Sequence, residues 1–154
     1  MVSFEHPLYP FTGIYRNVNG NQMHALDEGQ GDTVIMLHGN PTWSFYFRNL
    51  VLGLRDTNRV LVPDHIGCGL SEKPDEKRYE YTLRSRVDDL AALIEQADVR
   101  GRMTLLMHDW GGMIGMASRT ARSRCGRGPA RDACCAVLAR GCGSRTTRSD
   151  CHAA

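Results

Sequence analysis

Met103-Thr-Leu-Leu-Met-His-Asp-Trp-Gly-Gly-Met-Ile-Gly115 decides the fold. A short, largely apolar run from Met103 to Met107 stops at His108-Asp109-Trp110, and two glycines lead into a second apolar segment. The pattern predicts a buried strand, a sharp turn and a helix start, with an acid at the tip of the turn. Small residues suit the positions after the acid, where the backbone bends tightly and the helix must lie close to the strand. By itself this acid has two readings. It caps a helix, or it is a nucleophile held out on an elbow.

The flanking sequence supplies a frame for the turn. Gly13–Val18 and Gln22–Leu26 enclose Asn19-Gly20, and both turn residues tolerate positive φ, so a β-hairpin is expected. Thr33-Val-Ile-Met-Leu37 and Arg59-Val-Leu-Val62 are continuous apolar runs of the kind found in parallel strands covered on both faces. Between them, Phe47, Leu50, Val51 and Leu54 fall at helical spacing over Ser44–Arg55. Thr82 is placed to N-cap a helix to about Gln96, with Leu83, Val87, Leu90, Ala91 and Ile94 on one face. Alternating strands and helices after a hairpin predict an α/β fold with a mostly parallel sheet.

The chain has 154 residues and a net charge of +2, which points to no particular partner. That average conceals a break. Residues 119–154 carry eight Arg, no Lys, two Asp and five of the six cysteines. Val137 and Leu138 are the only large aliphatic residues there, too few to offset the entropy of ordering the segment. We therefore expect a partial α/β core over 1–118 and a disordered tail over 119–154, with the composition of a GC-rich gene read out of frame. A zinc site is disfavoured because the tail has no C-x-x-C pair. An arginine-rich nucleic-acid arm is disfavoured because no aromatic residues interleave the arginines. The N-terminus has no signal-peptide pattern, no apolar run is long enough to span a membrane, and Cys68 stands alone before the tail. A cytoplasmic protein is expected.

Taken together, His38-Gly-Asn-Pro-Thr-Trp43, Pro63-Asp-His-Ile-Gly-Cys-Gly-Leu-Ser71 and His108-Asp-Trp-Gly-Gly112 resemble the haloalkane dehalogenase branch of the α/β-hydrolase superfamily, over roughly residues 8–118. The resemblance implies the N-terminal half of that fold. It implies Asp109 as nucleophile, Asn40 and Trp110 as the pair holding a departing halide, and the backbone N–H groups of Asn40 and Trp110 as an oxyanion hole. It also implies a small apolar substrate, no cofactor and no metal. The chemistry is consistent. A carboxylate is already ionised at neutral pH and attacks saturated carbon directly, giving an alkyl ester. A departing anion needs donors where charge develops, and Trp and Asn both supply N–H groups.

Two relatives share the Asp elbow. Epoxide hydrolases resemble His108–Gly111 but usually carry a bulky residue where Asn40 stands. The β-lactone decarboxylases of olefin biosynthesis look very similar through Asp64–Gly67, Gly69–Ser71, Tyr81–Leu83 and Ser85–Leu90. Sequence does not separate them from dehalogenases. His38, His65, His108 and Asp64 are expected to brace loops, Trp43 to pack and Cys68 to fill a small buried space. Gly111, Gly112 and Gly115 do not form a dinucleotide-binding G-x-G-x-x-G. In this superfamily a histidine far downstream, oriented by a second acid, activates the water that hydrolyses the ester. After Asp109 the only histidine is His152, which matches no such context, so a truncated and inactive hydrolase is expected. A non-catalytic frameshifted fragment is the alternative.

Overall fold

The computed structural model describes residues 4–99, 102–125 and 133–138. Asn19 and Gly20 both adopt positive φ, +49° and +85°, and join β1 (Ile14–Val18) to β2 (Asn21–Glu28) as an antiparallel hairpin. Next come β3 (Thr33–Leu37), a short 3-10 turn (Ser44–Phe47), α1 (Arg48–Leu54) and β4 (Arg59–Pro63). Then follow α2 (Leu83–Gln96), β5 (Met103–His108), α3 (Trp110–Cys125) and β6 (Ala133–Leu138). The expected elements over 13–109 are present, with α1 preceded by the 3-10 turn. The Thr82 side chain accepts the Ser85 backbone N–H at 3.2 Å, which fixes the start of α2.

The strands lie in the order β1-β2-β4-β3-β5-β6. The β2–β4 pair is antiparallel; β3 is parallel to both β4 and β5. All five residues of β3 are buried, as its unbroken apolar run requires, because each face of the sheet is covered. On one face Ile35, Leu37, Leu105 and Met107 pack with Leu90, Leu93 and Ile94 of α2 and Ile114 of α3. On the other, Val34, Met36, Val60 and Val62 pack with Tyr9, Phe11, Phe47 and Val51. Helices α2 and α3 therefore share one side, and α1 with the N-terminal segment covers the other. Cover on this second side thins over β5, where Thr104, Leu106 and His108 are only half-buried.

The described elements extend beyond residue 118. Helix α3 continues to Cys125, and β6 pairs in parallel along β5, Met103 opposite Ala133 through His108 opposite Leu138. The outer edge of β5 is thus occupied. The physical reason is local. Ala133-Cys-Cys-Ala-Val-Leu138 lies in the longest unbroken apolar run of the tail, and the outer edge of β5 offers a row of backbone donors and acceptors. Residues 126–132 and 139–154, including Cys142, Cys151 and His152, lie outside the described residues.

No helix among the described residues is long and apolar enough to cross a membrane.

Candidate active site

Adjacent parallel strands bring two turns together. Leu37 of β3 is paired with Met107 of β5, so His38-Gly39-Asn40 and His108-Asp109-Trp110 leave the sheet side by side at its carboxyl edge. This is where α/β sheets place their ligands. The Asn40 backbone N–H donates to Oδ2 of Asp109 at 3.1 Å. Sequence reasoning expected these two residues to meet, and the structure brings them together.

Asp109 adopts φ +54°, in the left-handed region that a non-glycine residue enters at a cost of about 1–3 kcal/mol. The neighbouring packing holds it there. A Cβ on Gly39 would collide with the Asp109 carboxylate, and a Cβ on Gly111 would collide with the Leu37 backbone carbonyl. One turn further on, a Cβ at Gly115 would collide with the Met107 sulfur. The bulky Met107 is accommodated because glycine faces it. The Asp109 carbonyl accepts the Gly112 N–H at 2.9 Å, closing the first turn of α3. The acid therefore sits at the tip of a strand–turn–helix elbow with its side chain exposed.

The donors round it are partly committed. The Asn40 backbone N–H serves Asp109 itself. Among the described residues, neither the Asn40 Nδ2 hydrogens nor the Trp110 indole N–H has a hydrogen-bond partner. Trp110 is 42% exposed and follows Asp109 directly. As the first residue of α3, Trp110 has a backbone N–H without an intrahelical acceptor. Beside Asn40 lies an open cleft of about 370 Å³, lined also by Pro41, Thr42, Cys68, Tyr81 and Arg86. A slightly larger hollow of about 390 Å³ lies along Phe4–Thr12 and holds none of the candidate residues, so the chemistry rather than the volume places the site.

Beneath the two turns is a buried polar layer. The His38 Nδ1–H donates to the Gly39 carbonyl at 2.9 Å, and its Nε2 accepts the His65 backbone N–H at 3.0 Å. The His65 Nε2–H donates to the His38 carbonyl at 3.2 Å. This network assigns each ring its neutral tautomer. Burial pushes the His38 pKa below its ordinary value and the His65 pKa well below it, the latter helped by neighbouring His38. These rings lock the β3 turn to the β4 turn, in the bracing role the sequence suggested.

Asp64 braces the same loop. Its buried carboxylate accepts the Ser44 N–H at 2.7 Å and the Leu70 N–H at 2.9 Å, and faces His24 Nδ1 at 2.9 Å. Sequence reasoning missed the His24 contact, which spans 40 residues; a histidine on the buried strand β2 is the only local signal of it. Cys68 also departs from expectation. It is half-buried at the cleft wall rather than a core filler, and its thiol donates to Asn40 Oδ1 at 3.6 Å. No group of three or more His, Cys, Asp or Glu side chains converges as a metal site among the described residues.

An acid on a strained strand-to-helix turn, beside a second loop rich in N–H donors, is the site architecture of an α/β hydrolase. Residues 32–118, more than half the chain, match the alpha/beta hydrolase fold family, and the chain belongs to it. It is 58% identical over 109 residues to a cis-3-alkyl-4-alkyloxetan-2-one decarboxylase of Shewanella oneidensis, covering 71% of this chain and 34% of that one. It is 36% identical over 116 residues to haloalkane dehalogenase 2 of Mycobacterium bovis, covering 75% and 40%. Among solved structures it is similar to an epoxide hydrolase of Vigna radiata, with a TM-score of 0.70, 31% identity and coverage of 81% and 38%. The chain thus spans between a third and two-fifths of the length of these relatives.

Proposed function

We propose that this chain carries the nucleophile half of a β-lactone decarboxylase, with Asp109 attacking the ring and Asn40 and Trp110 stabilising the charge released. The observation that carries the reading is the Asp109 carboxylate itself, exposed on a positive-φ elbow, with the Asn40 backbone N–H on Oδ2 and, among the described residues, uncommitted donors on Asn40 and Trp110. Similarity to the Shewanella decarboxylase, at 58% against 36% for the dehalogenase, favours an oxetan-2-one over an alkyl halide.

The reaction balances without water. Asp109 attacks the saturated ring carbon that bears the ring oxygen. That C–O bond breaks and its electrons pass to the oxygen, leaving an Asp109 alkyl ester and a free substrate carboxylate. Loss of CO2 then breaks the neighbouring C–C bond. Its electron pair forms the alkene as the ester C–O bond cleaves, and the Asp109 carboxylate is restored. Ring opening is a displacement at carbon, so in-line positioning and N–H donors toward the developing carboxylate are its main needs.

A haloalkane dehalogenase is the second reading. It is favoured by the similarity to the mycobacterial enzyme and by the side-chain N–H donors of Asn40 and Trp110, uncommitted among the described residues and each able to contribute roughly 1.5–3 kcal/mol to a bound anion. The first step is the same, but the ester must then be hydrolysed by an activated water. This reading predicts one turnover from residues 1–118 alone, and a base from elsewhere for more. Incubating the chain with a cis-dialkyl β-lactone and with a long-chain bromoalkane separates them. Alkene and CO2 from the lactone support the first reading; release of one equivalent of halide, with no lactone consumed, supports the second. Release of neither product, with no ester at Asp109, contradicts both.

For residues 119–154 we retain the out-of-frame reading, supported by the family match ending at Ser118 and the change of composition at Arg119. Resequencing across codon 118 tests it. An apolar α/β pattern in another downstream frame supports the reading, and its absence contradicts it.

A further inference from the structure

We propose that Cys68 is a positioning residue, whose thiol fixes the Asn40 carboxamide with Oδ1 turned to the loop and the Nδ2 hydrogens turned to the departing anion. This rests on the reading of Asn40 as an anion-binding donor. An asparagine side chain has two faces of opposite chemistry, and rotation about its last torsion exchanges them at little cost. With Oδ1 forward, Asn40 would offer lone pairs to an anion and oppose its release. Something must select one orientation.

The structure supplies the selector. Cys68 Sγ lies 3.6 Å from Asn40 Oδ1, within reach of a sulfur donor, and an ionised or absent thiol would remove that donor. Burial raises the Cys68 pKa, which keeps the S–H proton in place at neutral pH. The cysteine is itself held. It stands between Gly67 and Gly69, at φ +90° and +51°, where a Cβ would meet the Tyr81 ring on one side and the Asp64 carboxylate on the other. Its N–H donates to the His65 carbonyl at 2.8 Å, and its carbonyl accepts the Ser71 N–H at 3.1 Å. Arg86 of α2 donates to the Ile66 carbonyl at 3.1 Å and lines the same cleft as the thiol. Cys68 thus ties this loop to the site, and both Nδ2 hydrogens of Asn40 are uncommitted among the described residues.

The test has two parts. The S–H stretch of Cys68, isolated as the infrared difference between the full chain and its Cys68→Ala variant, should lie at lower wavenumber than the same band in an Asn40→Ala background. An unchanged band overturns the proposal. In the second part, the rate of Asp109 ester formation from a long-chain bromoalkane is measured by intact mass. Cys68→Ala should lower the limiting rate about tenfold, less than the 10²–10³ lost when an oxyanion donor is deleted outright. The half-saturating concentration should be unchanged, and Cys68→Ser should recover most of the rate. A serine variant as slow as the alanine variant overturns the proposal, because the hydroxyl keeps the donor. Absence of any Asp109 ester in the parent chain contradicts the nucleophile reading instead, and the infrared comparison still decides the role of Cys68.

Discussion

The Asn40 backbone N–H reaches Oδ2 of Asp109 across 3.1 Å, joining the turns that end two adjacent parallel strands. This contact ties the reactivity of the acid to the packing beneath it, because neither turn can move without breaking it. Each element of that packing makes a separate prediction.

The closest approach of α3 to the sheet is at Gly111, whose missing Cβ leaves room for the Leu37 carbonyl. We expect Gly111→Ala to destabilise the chain by about 1–3 kcal/mol, the usual cost of overpacking. Gly112 faces open space, so Gly112→Ala should be neutral or stabilise by roughly 0.5–1 kcal/mol through helix propensity. Urea unfolding of the two variants checks the contrast. Equal effects would contradict the close approach.

The His38–His65 pair should make stability sensitive to mild acid. Both pKa values are depressed in the folded state, chiefly by burial, so below about pH 6.5 the unfolded chain binds protons that the folded chain refuses. Their contribution is fully present above that pH and is lost as pH falls toward the folded values. A His65→Gln variant should be less stable at neutral pH, with a shallower decline on acidification. Unfolding midpoints across that range test the slope, and parallel curves for parent and variant would contradict it.

Asp89 acts with the opposite sign. Its buried carboxylate accepts the Tyr79 hydroxyl at 2.7 Å and an Asn19 amide N–H at 2.8 Å, and burial raises its pKa above the ordinary 3.8. The folded state then holds the proton more tightly than the unfolded state. The associated stability is greatest below pH 3.8 and is lost as pH rises through the folded value. Asp89→Asn should flatten this segment of the pH profile, with a constant loss of about 1 kcal/mol for the acceptor removed. An unchanged slope would contradict the assignment.

Local signals made much of this structure legible in the sequence. Asn19-Gly20 announced the hairpin, the run Thr33–Leu37 announced a doubly covered strand, and Thr82 announced α2. The meeting of Asn40 and Asp109 was also legible, through two motifs and their resemblance to a family. The contacts that were not legible depend on pairing between distant segments. His24 meets Asp64, Cys68 meets Asn40, and Arg86 reaches Ile66 only once β2, β4, β3 and α2 are in register. The strand Ala133–Leu138 was missed for a different reason. Averaged over its surroundings, the tail composition hid an apolar run, Ala133–Ala139, of which sheet pairing recruits the first six residues.

Peptide mapping of the chain after exposure to a long-chain bromoalkane tests most directly whether Asp109 is the nucleophile. One alkyl group is expected on the peptide carrying Asp109, removable by hydroxylamine as an ester is and a thioether is not. It should be absent from the Asp109→Asn variant. Labelling confined to cysteine peptides, or an equal yield of hydroxylamine-labile adduct in that variant, would contradict Asp109 as the nucleophile.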